Sequence, residues 1–72
     1  MSRLLDIYQF SQDAEFRNRL EASCWLAVVP FSQDAVVDVL ARLIGVEGNV
    51  SSPSEFTDDQ IVKALQERIS GV

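Results

Sequence analysis

The sequence predicts an all-α fold, a small bundle of three main helices preceded by a short N-terminal helix or arm. Three segments carry residues that typically begin a helix, and apolar side chains recur after them at three- and four-residue spacing. No segment shows the sustained apolar–polar alternation of a half-buried β-strand. A chain of 72 residues suits one domain with one core, so we take residues 1–72 as a single helical domain.

The N-terminal segment, residues 2–9, is short and apolar. Its apolar side chains are Leu4, Leu5, Ile7 and Tyr8. This composition fits a short helix or an ordered arm. A single arginine and the early Asp6 differ from the pattern of a signal peptide. The longest apolar run, residues 24–31, is far shorter than a membrane span, so we expect an intracellular protein that does not enter the membrane.

The stretch FSQDA occurs at residues 10–14 and again at residues 31–35, and it predicts two helix starts. Serine is a preferred N-cap because its hydroxyl accepts a hydrogen bond from an otherwise unpaired amide of the first turn. The aspartate two positions later suits the positive end of the helix dipole. Ser11 and Ser32 are therefore predicted caps. The residues that follow the two copies differ, so we interpret the repeat as helix-start chemistry and not as a duplicated binding motif.

The first main helix is predicted over residues 11–28. One face carries Phe16, Leu20, Cys24 and Ala27. Pro30 ends the helix, because the residue before a proline avoids the helical region. Trp25 lies about 100° away from that face. It either wedges between helices or stands at the rim of a protein interface, where tryptophan is enriched, and the sequence leaves both alternatives open.

The second main helix is predicted over residues 32–44, with Gly45 as the residue that ends it. Its polar side is narrow and consists of Asp34, Asp38 and Arg42. Most of the remaining surface is apolar: Val36, Val37, Val39, Leu40, Leu43 and Ile44. A helix this apolar is either central in the fold or covered by a partner on a second side.

The last helix is predicted over residues 58–70, after a loop rich in glycine, serine and proline. Thr57 is its predicted cap, and Gln60 three residues later completes a capping box. The apolar face carries Ile61, Leu65 and Ile69. Gly71 is the predicted stop.

The composition favours association with other proteins. The net charge is −5, and an acidic chain repels phosphate groups, so no direct nucleic-acid role is expected. Arg17 and Arg19 form the only close basic pair, and the neighbouring acids predict a solvated, salt-bridged face there. Hydrophobic residues make up 47% of the chain, more than so small a core hides comfortably. We therefore expect a homo-oligomer or a protein that docks on a larger assembly.

The sequence lacks the residues that catalysis or metal binding would need. There is no histidine, and Cys24 is the only cysteine, so we predict an inert core thiol without a base beside it. A histidine or cysteine pair for a metal is absent as well. Asp58 and Asp59 begin a helix and are interpreted as complements of its dipole. We expect no enzymatic activity, no cofactor and no metal site.

Six aromatic and aliphatic residues are candidates for a protein interface, because they crowd the N-terminal arm and the corner between the first two main helices. They are Tyr8, Phe10, Trp25, Val28, Val29 and Phe31. Tryptophan and tyrosine at such positions are frequent anchors of protein–protein contacts.

The two ends of the chain resemble small structural proteins of tailed bacteriophage virions, of the head or neck type. The first end, YQFSQDAEFRNRLEAS, carries Gln12-Asp13 followed by Phe16 and Arg17. The second end, FTDDQIVKALQERISGV, opens its helix with Asp58-Asp59 and closes with Ser70-Gly71-Val72. The resemblance is confined to these ends; the middle of the chain does not contribute to it.

The resemblance implies a non-enzymatic subunit that binds larger virion proteins and copies of itself, in the cytoplasm of a bacterial host or in the virion. A second hypothesis comes from the charge alone. In it the chain is a small acidic helical adaptor or inhibitor, which binds a host or regulatory protein with its acidic face.

Overall fold

The computed structural model describes residues 3–48 and 50–71, and within them the chain is helical without a β-strand. The helices are α1 (Arg3–Phe10), α2 (Ala14–Ala27), α3 (Gln33–Glu47) and α4 (Asp58–Ser70), with a short 3-10 helix (Pro53–Glu55) before α4. The predicted all-α bundle of three main helices is confirmed. Ser2, in the predicted N-terminal segment, and Val72, at the phage-like end, lie outside the described residues.

Helix α3 is the central element of the bundle. It packs against α1 and α4, while α2 packs against α4 and the 3-10 helix. Its buried side chains are Ala35, Val36, Val39, Leu40, Leu43 and Ile44. The strongly apolar surface of α3 is therefore explained largely by its position between two helices, which is the first of the two alternatives that its sequence allowed.

Three phenylalanine rings join the outer elements to this core. The ring of Phe56, which precedes α4, lies edge-on to Phe10 at 6.5 Å and to Phe16 at 6.3 Å. Edge-to-face pairs of this kind contribute about 0.5–1.5 kcal/mol each beyond the burial of their area. One cluster of rings therefore links α1, α2 and the start of α4.

Helix α2 starts at Ala14, three residues later than predicted, and the prediction that Ser11 caps it is wrong. The cap is Asp13, whose carboxylate accepts a hydrogen bond from the amide of Phe16 at 2.8 Å. Helix α1 extends to the residue before Ser11, so Ser11 lies at the end of α1 instead. Its buried hydroxyl donates a hydrogen bond to the carbonyl of Tyr8 at 2.7 Å.

The other two predicted helix starts are confirmed. Ser32 Oγ accepts a hydrogen bond from the amide of Ala35 at 3.1 Å. Thr57 and Gln60 form the predicted capping box: Thr57 Oγ1 accepts from the Gln60 amide at 3.1 Å, and Gln60 Oε1 accepts from the Thr57 amide at 2.8 Å. The two copies of FSQDA therefore hold different positions, one across the α1–α2 turn and one at a helix start.

Two helix ends differ from the prediction. Helix α3 continues through Gly45 to Glu47, and Gly48 ends it with a φ of 79° and an amide that donates to the Ile44 carbonyl at 3.0 Å. Glycine inside a helix costs only about 0.5–1 kcal/mol relative to alanine, so Gly45 does not stop it. Helix α2 ends at Ala27, which is exposed, so the buried face of α2 stops one turn earlier than predicted.

Candidate protein-binding site at the corner of α2 and α3

A cleft of about 480 Å³ lies between the last turns of α2 and the segment that leads into α3. We call it the corner cleft, and it is lined by Glu21, Cys24, Trp25, Val28, Val29, Pro30 and Phe31. Four of the six predicted interface residues meet here: Trp25, Val28, Val29 and Phe31. The structure therefore brings most of that prediction together in one place.

The other two predicted interface residues lie elsewhere. Phe10 is only 8% exposed and packs on Phe56, so it belongs to the core of the chain and not to this surface. Tyr8 is exposed on α1 but does not line the corner cleft.

The last turn of α2 and the residue after it carry the three most exposed large apolar side chains that the structure describes, and two of them, Trp25 and Val28, line the corner cleft. Trp25 is 77% exposed, Leu26 is 87% exposed and Val28 is 90% exposed. We call these three residues the corner patch. Trp25 does not wedge between the helices of its own chain, which leaves the interface alternative for this residue. Single exposed apolar residues are common on soluble proteins, but three of them within four consecutive residues make this segment a candidate interaction surface.

The backbone of Val28 is strained. Its φ of 56° and ψ of 47° place it in the left-handed region, and it is the only residue other than glycine with a positive φ in the described part of the chain. Glycine is the usual residue at this position after a helix. A β-branched residue pays about 1–2 kcal/mol to adopt the conformation. The chain therefore keeps an exposed apolar side chain where glycine would be more stable.

Cys24 forms the floor of the corner cleft and is fully buried. Burial raises the pKa of the Cys24 thiol, Arg68 opposes that shift, and Glu21 adds to it. A buried thiol with a raised pKa is a poor nucleophile, because the thiolate is the reactive form. The predicted buried position of Cys24 is confirmed. Within residues 3–48 and 50–71, no group of three or more potential metal ligands comes together.

One wall of the corner cleft is held by Arg17. Its guanidinium lies 5.6 Å from the centre of the Phe31 ring, a cation–π contact. The same group donates to the Ser11 carbonyl at 2.9 Å and to Gln33 Oε1 at 2.8 Å. Arg17 therefore ties the end of α1 and the start of α3 to α2, and this fixes the segment that carries Phe31.

Arg19 has a similar role on another side of α2. It donates to the Phe56 carbonyl and to the Asp58 carboxylate, both at 2.8 Å. The predicted salt bridge is present for Arg19, but its partner is Asp58 at the start of α4 and not an acid near it in the sequence. The prediction that the two arginines lie on a solvated face is wrong. Both are half-buried and bridge α2 to other segments.

The cations of the described chain are mostly engaged internally. Arg42 and Arg68 both approach Asp38, with N–O distances of 3.0 and 3.1 Å, and the Arg68 contact is an ion pair without hydrogen-bond geometry. Among the cationic side chains that the structure describes, Lys63 is the exposed one. It lines a smaller hollow between α3 and α4, away from the corner cleft. The charged groups nearest the corner cleft are Glu21 in its lining, Arg17 against Phe31, and Arg68, whose charge acts on Cys24.

Glu21 brings a carboxylate to the wall of the corner cleft. Within the described part of the structure, its side chain makes no hydrogen bond or ion pair. It precedes Trp25 by four residues on α2, so the two side chains occupy the same helix face. The site thus combines an apolar cleft, an exposed aromatic ring and one carboxylate without a partner.

Three residues of the site were missed by the sequence analysis: Glu21, Leu26 and Pro30. Leu26 had a detectable signal, since it lies off the Phe16–Leu20–Cys24 line just as Trp25 does. Glu21 also had a signal, because it precedes Trp25 by four residues on the same helix face. Pro30 had none, because its place depends on the turn that the left-handed Val28 makes.

No family model, no curated protein sequence and no solved structure matches this chain. In the described residues, no helix has both the length and the apolar character that crossing a bilayer requires.

Proposed function

We propose that this chain is a non-enzymatic structural subunit of a phage particle, which binds larger virion proteins and further copies of itself through apolar helix surfaces. The observation that carries the association is the corner patch beside the corner cleft. The phage context is supported by the resemblance of the two chain ends to small virion proteins.

The energetics of the fold support a binding role for the corner patch. The core of the bundle is built from other side chains, and Trp25, Leu26 and Val28 are largely outside it. They add little to the stability of the isolated chain, while Val28 lowers it. An exposed tryptophan at the centre of such a patch is the typical anchor of a protein interface.

The replacement of Trp25 by alanine tests this proposal. We expect assembly or partner binding to weaken by about 2 kcal/mol or more, a hot-spot value, while the far-ultraviolet circular dichroism and the melting temperature change little. Binding is measured against capsid and neck proteins of a tailed phage, together with sedimentation of the chain alone.

Val46→Ala is the matched control. Val46 is also an exposed apolar residue, but it lies at the hollow between α3 and α4. Its removal should leave binding unchanged. If Trp25→Ala binds normally, and the wild type stays a monomer at high micromolar concentration, the structural-subunit proposal is wrong.

A second candidate function, the acidic adaptor or inhibitor, is favoured by the charge distribution. The described arginines contact their own chain, so the exposed charge is predominantly acidic. An adaptor that uses this surface would be a monomer that melts cooperatively, and its partner binding would fall steeply with salt. Retention of binding at high salt, with loss in Trp25→Ala, would favour the structural subunit.

A further inference from the structure

We propose that the corner cleft is the contact between two copies of this chain, a two-fold dimer in which Leu26 of each copy fills the corner cleft of the other. This inference rests on the proposed function, since it names the occupant of that same site. The occupant is a second copy of the chain, and a segment of a larger virion protein is the alternative that the experiment tests.

The corner carries a cleft and a protruding apolar side chain next to each other. Leu26 is 87% exposed and does not line the cleft, whereas its neighbour Trp25 does. The cleft is lined by apolar side chains apart from Glu21, and its volume of about 480 Å³ lies in the usual range of about 300–1,000 Å³ for sites that enclose a bound group. A two-fold contact joins the same surface of two molecules, so each protruding side chain faces the cleft of the other copy. The corner is therefore complementary to itself in shape.

The charges at the corner are complementary in the same sense. Within the described structure, the Glu21 carboxylate forms no ion pair. Arg17, one helical turn earlier on α2, contacts a carbonyl, an amide oxygen and an aromatic ring, all of them uncharged. A two-fold contact lets Glu21 of each copy meet Arg17 of the other, so the ion pair forms twice in one dimer. Repulsion between two copies of net charge −5 acts at longer range and is largely screened beyond about 8 Å at physiological ionic strength.

The area of the corner predicts a weak and reversible dimer. The three side chains of the corner patch are between 77% and 90% exposed, and they offer roughly 200–400 Å² per copy. Two such patches with the walls of the clefts lie near the low end of specific interfaces, below about 1,200 Å² in total. A contact of this size gains strength when many copies are held together on one assembly. We therefore expect a monomer at low micromolar concentration and a dimer at high micromolar concentration.

Sedimentation of the wild type over that concentration range, followed together with tryptophan fluorescence, tests the proposal. Trp25 is the only tryptophan of the chain, so its emission should shift to the blue as the dimer forms. Leu26→Ala should weaken dimerisation about tenfold or more, because two leucines are lost from each dimer. Val46→Ala, the matched control at an exposed apolar residue away from the corner, should leave it unchanged. Circular dichroism checks that both variants stay folded.

Glu21→Gln tests the choice of a second copy by the sign of its effect, with Glu15→Gln as the matched control. Both variants remove one carboxylate from α2, but Glu15 is exposed and does not line the cleft. The lower net charge should by itself strengthen self-association slightly, and this is the effect that we expect for Glu15→Gln. Glu21→Gln should instead weaken dimerisation about two- to tenfold, because two ion pairs are lost from each dimer.

The results that overturn the proposal differ from those that overturn the proposed function. If the wild type stays a monomer at high micromolar concentration while Trp25→Ala loses binding to virion proteins, a larger protein occupies the cleft, and only the proposed function stands. A dimer that Leu26→Ala leaves intact uses another surface, and a dimer that Glu21→Gln strengthens as much as Glu15→Gln does lacks the ion pairs; either result makes this inference wrong. If the wild type is a monomer and Trp25→Ala binds virion proteins normally, both proposals are wrong.

Discussion

The left-handed conformation of Val28 leads to a prediction that separates stability from binding. Val28→Gly removes the steric conflict of a β-branched residue at positive φ, so we expect the free energy of unfolding to rise by about 1 kcal/mol. The same change removes a 90% exposed apolar side chain from the corner patch, so partner binding should weaken. Chemical denaturation and a binding titration on the same variant check both signs.

Val46→Gly provides the contrast for that experiment. Val46 is exposed to a similar degree but lies inside α3, where glycine lowers helix stability by about 0.5–1 kcal/mol. Its unfolding free energy should fall. If Val28→Gly also lowers the free energy of unfolding, the valine stabilises the turn that it forms, and the inference of backbone strain at this position is wrong.

At the scale of single residues, the sequence predicted the buried position of Cys24 but not the contacts of Arg17. Cys24 follows from apolar spacing along one helix, which the sequence displays directly. The position of Arg17 does not, because its contacts with Ser11, Phe31 and Gln33 depend on how three segments meet. The acids near Arg17 in the sequence suggested ion pairs within α2, but Arg17 instead contacts residues of other segments.

The two copies of FSQDA give a prediction at the scale of the helix. Asp13→Ala and Ser32→Ala each remove a cap and should cost about 1 kcal/mol of stability. Ser32→Asp should be tolerated, since aspartate is also a good cap. Ser11→Asp should be more damaging than Ser11→Ala, because both lose the hydrogen bond to the Tyr8 carbonyl but only aspartate buries a charged carboxylate beside that oxygen.

Thermal melts of these variants at neutral pH measure the effects. If Asp13→Ala leaves the stability unchanged while Ser11→Ala lowers it by about 1 kcal/mol, the size of a lost cap, then Ser11 and not Asp13 caps α2. The position of this cap was not predictable from the pentapeptide, because α1 extends to Phe10 and takes Ser11 into its own end. Where the preceding segment is extended, as before Ser32, the same letters gave the correct start.

Helix ends show the same limit at the element scale. The capping box of Thr57 and Gln60 was predictable because both partners lie within four residues. The end of α3 was not, since Gly45 and Gly48 are both possible stops and the helix passes through the first. Local sequence therefore predicts where a helix starts more accurately than where it ends, when two glycines are available as stops.

For the whole molecule, Cys24 offers a natural probe of how often the bundle opens. The thiol is fully buried in the core cluster, and burial raises its pKa, so both access and thiolate fraction are low in the folded state. We expect reaction with a thiol reagent to be far slower in native buffer than in denaturant. The native rate then reports on opening of the core.

The outcome that would contradict this prediction is a native rate equal to that of the unfolded chain. If the partner slows the reaction of Cys24 with the thiol reagent in the wild type, binding at the corner cleft covers Cys24 or stabilises the core around it. Trp25→Ala is the suitable control, because it leaves Cys24 in place and removes the expected anchor of the partner.

The fold class could be predicted because helix periodicity and composition are properties of the chain itself, and the central place of α3 was one of two alternatives that its sequence allowed. The corner cleft was predicted only in part. Trp25, Val28, Val29 and Phe31 were candidates on their apolar character, but Phe10 shared that character and is in the core. Which apolar residues stay outside depends on how tightly the three helices close, and that is a property of the whole bundle.

The strained Val28 also bears on the evolution of this chain. Every valine codon becomes a glycine codon through a single base change, so the variant that we expect to be more stable is one mutation away. A variant that is easy to reach and that folds better should replace valine unless the side chain is useful. A valine kept at this position in related chains would therefore be a sign of selection for a contact outside the chain.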